Sequence, residues 1–304
     1  MQSRQAAIKL RWISTCGEEA GEAYLTALAT PVRRPFSLIG ADGGPLRGEI
    51  RSPGGSRPAV VICHGFKGFK DWGFFPVTAD RLALAGFAAI SFNFSGSGVG
   101  APGDSFNEPE RFRHATYSNG LRDLALVLAE LRGGGLGVQP TAIGVLGHSM
   151  GGGIAALQSA ADPGIAALVT WSATARFGRL WRSDQIPEWR RSGTLEIVNQ
   201  RTGERLPLAT DILDDLERNA GRLNVLATAA GISAPWLVVH GAADESVPES
   251  DGRDLSRHAP RSRLLMIANA GHTFGIKHPW SGSTPQFDQV LEASVDWFSR
   301  HLVV

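Results

Sequence analysis

Cysteine is almost absent from these 304 residues. The two that occur, Cys16 and Cys63, cannot build a disulfide framework, and Cys63 falls in an apolar run where a small buried hydrophobe is expected. Net charge is lacking as well: 30 Lys and Arg stand against 29 Asp and Glu. Nothing in that balance selects nucleic acid or an anionic membrane as a partner. No apolar stretch is long enough to span a bilayer, and none of signal-peptide length follows Arg4, Lys9 and Arg11, so the expected compartment is the cytoplasm. Metal-ligand spacing is missing too, and neither a metal nor an organic cofactor is expected. Internal repeats and low-complexity runs are also missing. What is present is 43% hydrophobic and 19% charged residues, the composition of a globular enzyme with one sizeable core.

The order of the apolar runs predicts the architecture. Residues 1–30 show no period and are read as a loosely held arm, or as sequence that adds little to the fold, with no assigned function. From Arg34 two short alternating stretches flank Asp42-Gly43, a hairpin signal. Ala59-Val60-Val61-Ile62-Cys63 is continuous rather than alternating, as in a parallel strand buried on both faces. Strands and helical stretches then alternate, which implies βαβ crossovers and a mostly parallel central sheet with helices on both faces, an α/β fold. The rhythm breaks between Ser172 and Ser233. That stretch is more charged, carries Trp181 and Trp189, and is too long for plain loop. It is read as a lid, residues 172–232, inserted after the sixth strand. The core is then residues 31–171 and 233–304.

Chemistry concentrates at predicted strand ends. Gly147-His148-Ser149-Met150-Gly151 follows a buried run and precedes a small-residue helix, the sequence form of a nucleophile elbow. Such a turn strains the serine and crowds its neighbours, which is why both flanking positions are glycine. A serine hydroxyl needs a base, and the base needs an acid to hold its tautomer. Asp244 and His272 follow in that order, each just beyond a predicted strand. Asp251 and Glu245 are the fallbacks for the acid. Acyl transfer also needs donors for the oxyanion, and the backbone N–H groups of Met150 and Phe66 are in position to supply them. His64 and His240 are read as loop braces, and His148 as directed away from the Ser149 hydroxyl. Phe177, Trp181 and Trp189 are candidates to line a pocket for an apolar or aromatic group.

Together His64-Gly65-Phe66, the elbow, Asp244 and Gly271-His272 resemble the α/β-hydrolase superfamily over nearly the whole chain from about residue 34. Within it the chain looks like the lidded acyl esterases near the cinnamoyl and feruloyl esterases, with dienelactone hydrolases and acyl-peptidases as wider relatives. The resemblance implies a serine hydrolase that cleaves a small-molecule carboxylic ester through an acyl-enzyme. Dienelactone hydrolases use a cysteine where position 149 is serine. Rivals on the same residues are a cofactor-free perhydrolase or haloperoxidase, an acyl-peptidase, and a non-catalytic binder. A binder would be expected to lose a triad member, and all three candidates stand here.

Overall fold

Unbroken runs of Val, Ile and Ala can be buried only between two layers, and the chain supplies several of them. In the computed structural model, which describes residues 31–103, 105–199 and 203–302, ten strands and nine helices follow in this order. They are β1 (Val32–Ile39), β2 (Pro45–Ser52), β3 (Arg57–Cys63), α1 (Phe75–Leu84), β4 (Ala88–Phe92), α2 (Pro109–Arg113), α3 (Tyr117–Arg132), β5 (Pro140–His148), α4 (Met150–Ala161) and β6 (Ala167–Trp171). Then come α5 (Ile186–Ser192), β7 (Thr194–Val198), β8 (Arg205–Ala209), α6 (Asp211–Arg218), α7 (Val225–Ala229), β9 (Trp236–Gly241), α8 (Glu249–His258), β10 (Ser262–Ile267) and α9 (Pro285–His301). The arm expected over residues 1–30, with Cys16, lies outside the described residues.

Eight strands form one sheet in the order β1-β2-β4-β3-β5-β6-β9-β10. From β4 to β10 every neighbouring pair is parallel, while β1 and β2 join antiparallel. The Asp42-Gly43 hairpin signal therefore marks a real reversal: Gly43 sits at φ +82°, and the Gly44 N–H donates to Asp42 Oδ1 at 2.9 Å.

Period-two alternation divides each central strand between two cores. Ala59, Val61 and Cys63 of β3 pack in one cluster with α3 and α4, whereas Val60 and Ile62 pack in the other with Phe75, Leu82, Phe287 and Phe298 of α1 and α9. β9 divides the same way, Trp236 and Val238 to the first side, Leu237 and Val239 to the second. Among the described residues no helix is long and apolar enough to cross a membrane.

Between β6 and β9 the chain leaves the large sheet. The sequence predicts short helices there and no sheet element. The structure has both: α5, α6 and α7 are helical, and β7 and β8 pair antiparallel as a separate two-stranded sheet. Leu195-Glu196-Ile197 alternates as a half-exposed strand should, but Pro207 lies in β8 and neither strand exceeds five residues. Proline is tolerated in an edge strand, and so short a pattern is masked by its charged surroundings.

Candidate active site

Ser149 is the turn between β5 and α4. Its backbone lies at φ +57°, ψ −123°, a conformation that costs an L-residue roughly 1–3 kcal/mol. Surrounding hydrogen bonds hold it there. Its N–H donates to the Trp171 carbonyl at 2.9 Å, and its own carbonyl accepts from Gly152, Gly153 and Thr174 N–H groups. The side chain makes no capping bond to the helix it begins.

Close backbone approach explains the glycines. A Cβ on Gly147 would lie 2.4 Å from the Gly151 carbonyl oxygen, and one on Gly151 only 2.2 Å from the His64 carbonyl oxygen. At Gly65 a Cβ would stand 2.9 Å from Ser149 Cβ. The loop leaving β3 and the elbow leaving β5 are thus pressed together.

That contact sets two backbone donors. Met150 is the first residue of α4, so its N–H has no partner one turn back. Phe66 follows a peptide whose carbonyl, that of Gly65, accepts from His64 Nδ1 at 2.8 Å and from the Gly68 N–H at 3.0 Å. Because a trans peptide sets N–H opposite C=O, the Phe66 N–H points away from that pair. It has no hydrogen-bond partner within the described residues. His64 Nε2 in turn accepts the Phe94 N–H at 3.0 Å, and burial lowers the imidazole pKa to about 4, so the brace stays neutral.

Asp244 and His272 meet on the next two loops. His272 Nδ1 donates to Asp244 Oδ2 at 2.8 Å; the carboxylate is shielded from solvent and the imidazole side chain is 20% exposed. Asp244 Oδ1 accepts from the Ser246 and Val247 N–H groups, both at 2.9 Å. Burial alone would raise the Asp244 pKa. The hydrogen bond and charge of His272, with the Val247 N–H, outweigh it and hold the group at about 2. His240 steadies the loop, donating from Nε2 to the Val247 carbonyl at 3.0 Å, with that nitrogen 3.5 Å from Asp244 Oδ2. Asp251 is engaged elsewhere, with the Ala175 N–H, Arg176 and Arg179.

Ser149, His272, Phe66 and His148 line one cleft of about 560 Å³. His148 is the residue whose part in the site sequence reasoning missed. Its ring lies 4.7 Å from that of His272 and its Nε2 donates to the His272 carbonyl at 3.0 Å. Burial and the neighbouring imidazole lower its pKa to about 3, so it braces the His272 loop as a neutral donor. Its place as the last residue of an otherwise apolar strand was the only available signal.

Of the three aromatic residues expected to line the pocket, Trp181 does so, with Nε1 donating to the Tyr117 hydroxyl at 3.0 Å. Phe177 and Trp189 do not. Phe177 stacks on Tyr117 at 4.1 Å, and Trp189 packs edge-on behind Trp181 while its Nε1 donates to the Leu208 carbonyl. Both are buried in the core rather than turned to the cleft. Leu180, Gln185, Leu195 and Ile197, none of them singled out in the sequence, complete that wall.

A family model described as the alpha/beta hydrolase family matches residues 60–281. A curated relative, 2,6-dihydropseudooxynicotine hydrolase from Paenarthrobacter nicotinovorans, is 26% identical over 261 residues, 82% of this chain and 62% of its own length. The chain therefore spans less than two thirds of that relative. Among solved structures, Est1E from Butyrivibrio proteoclasticus with ferulic acid bound aligns at a TM-score of 0.65 and 22% identity, covering 88% of this chain and 99% of that one. A dienelactone hydrolase from Anabaena variabilis aligns at 0.62 and 18%, covering 90% and 100%. At such identities the structural likeness speaks to the fold. The family match reaches from the buried run of β3 past the loop that carries His272, and on that match the chain belongs to the alpha/beta hydrolase family.

Proposed function

We propose that this protein is a serine hydrolase of small-molecule carboxylic esters. The observation that carries the reading is the 2.8 Å bond from His272 to a shielded Asp244 carboxylate, on the rim of the cleft where Ser149 is held in a strained turn. Ser149 Oγ attacks the ester carbonyl carbon as His272 Nε2 takes the hydroxyl proton. Asp244 fixes the Nδ1–H tautomer and stabilises the imidazolium. The oxygen of the tetrahedral intermediate, now negative, is received by the N–H groups of Phe66 and Met150. Its collapse expels the alcohol, which leaves with the proton from His272, and an acyl-enzyme remains. Water then repeats the sequence, releasing the acid and restoring Ser149.

Residues 172–232 act in this reading as the lid over a core of residues 31–171 and 233–304. In support, Leu180, Trp181, Gln185, Leu195 and Ile197 all come from that segment and form one wall of the cleft.

The test is hydrolysis of 4-nitrophenyl acetate with labelling by a fluorophosphonate probe. The wild type should turn over the ester and take the label at Ser149, and Ser149→Ala should lose the label and at least about a thousandfold in kcat. Undiminished turnover by Ser149→Ala would remove the proposal.

A further inference from the structure

Among the described residues the cleft is lined without a single Asp or Glu, and its charged residues are Lys67 and Arg182. Arg182 already has a partner, its Nε and Nη2 holding the two oxygens of Asp184 at 3.1 and 2.6 Å on the exposed rim. Lys70, on the same loop, binds Asp71 at 2.5 Å. Lys67 forms no ion pair or hydrogen bond within the described residues. It directly follows Phe66, so this ammonium belongs to the same loop as the proposed oxyanion donor.

The backbone of Lys67 lies at φ +58°. A left-handed conformation costs a residue with a Cβ roughly 1–2 kcal/mol more than glycine, yet lysine stands here between Phe66 and Gly68. The side chain remains accessible to solvent. Partial burial still holds its pKa below the ordinary lysine value, and no carboxylate among the described residues raises it again. Around it the lining is largely apolar, with Trp72, Phe75, Leu195, Ile197 and Val247.

We propose that Lys67 reads substrate charge, and that the preferred esters carry a carboxylate on an otherwise apolar body. The inference rests on the ester-hydrolase reading of the same cleft. An anion entering here meets a cation that has no partner among the described residues to give up, so the attraction is not spent on breaking an existing pair. No described residue of the wall is a carboxylate that would repel it.

Two matched substrate pairs test this, one with the charge on each side of the ester. They are 4-acetoxybenzoate against its methyl ester, and 4-nitrophenyl hydrogen glutarate against 4-nitrophenyl methyl glutarate. For at least one pair the wild type should favour the anion in kcat/KM. Lys67→Gln should lower the anionic-to-neutral ratio about tenfold, as expected for one charge-assisted hydrogen bond. Lys67→Arg should restore most of it, and Lys67→Glu should reverse the preference. A ratio unchanged by Lys67→Gln in both pairs overturns the proposal. A binding measurement separates this failure from failure of the hydrolase reading. Ser149→Ala, titrated calorimetrically with 4-acetoxybenzoate, should bind about tenfold more tightly than Ser149→Ala combined with Lys67→Gln, whether or not any ester is turned over. Equal affinities of the two proteins would also reject the role of Lys67.

Discussion

At the scale of single residues, the elbow works because three backbones meet where no side chain fits. Gly151 carries the sharpest constraint, because its missing Cβ faces the His64 and Cys63 carbonyl oxygens at 2.2 and 2.7 Å, both main-chain atoms at the end of β3. Neither oxygen can swing aside as a flexible side chain would. Gly151→Ala should therefore push the β3 loop outward, destabilise the fold by about 1–3 kcal/mol, and lower turnover by displacing the Phe66 N–H. A urea midpoint and kcat on 4-nitrophenyl acetate check both halves. This residue was legible in the sequence from the Gly-x-Ser-x-Gly spacing alone, although the main-chain atoms that require it belong to the end of β3, far away in the chain. His148 was not, since its partner is a carbonyl 124 positions away, and Phe177 and Trp189 were misassigned for the same reason. An aromatic side chain reads identically in sequence whether it faces a cleft or stacks on Tyr117.

At the scale of elements, the strands buried on both faces were legible and the small β7–β8 sheet was not. A run such as Ala59 to Cys63 can be nothing but interior, whereas Thr194 to Val198 leaves every residue at least partly exposed and mixes apolar with charged side chains. The tie between α8 and the chain leaving β6 was hidden as well. It depends on Asp251, fully buried, which accepts the Ala175 N–H at 2.8 Å and pairs with Arg176 and Arg179. Both arginines keep a third or more of their side chains exposed, so they can rehydrate when the carboxylate is lost. Asp251→Ala should then cost about 1–3 kcal/mol through its unpaired amide and lost charge-assisted bonds. Its effect on kcat should be small, because it does not touch His272. Asp244→Asn should lower stability too, through the lost pairing with His272, but unlike Asp251→Ala it should lose most of the turnover. Parallel denaturation and kinetic measurements on the two variants distinguish the structural aspartate from the proposed catalytic one.

At the scale of the whole molecule, the site imposes a pH dependence on folding. His64 and His148 are buried as neutral donors, with pKa values lowered by burial to about 4 and about 3. Unfolded, each takes a proton near the ordinary histidine value of 6.5. Between those limits the unfolded chain binds protons that the folded chain refuses, so stability rises with pH up to about 6.5 and levels off above it. Each histidine contributes at most about 1.4 kcal/mol per pH unit inside its window. Asp244 acts lower on the scale. Its pKa of about 2 is depressed from an ordinary 3.8, so its contribution is complete above the unfolded value and is lost only as pH falls toward 2. Urea midpoints should therefore be flat from pH 7.5 to 6.5 and fall steadily from 6.5 to 4.5, before any carboxylate in the site is protonated. His148→Gln keeps an N–H able to reach the His272 carbonyl but cannot titrate, so it should flatten the slope in that range. An unchanged slope in this variant would mean that the imidazole beside His272 is already charged in the folded protein, and that the brace on the His272 loop is ionic rather than neutral.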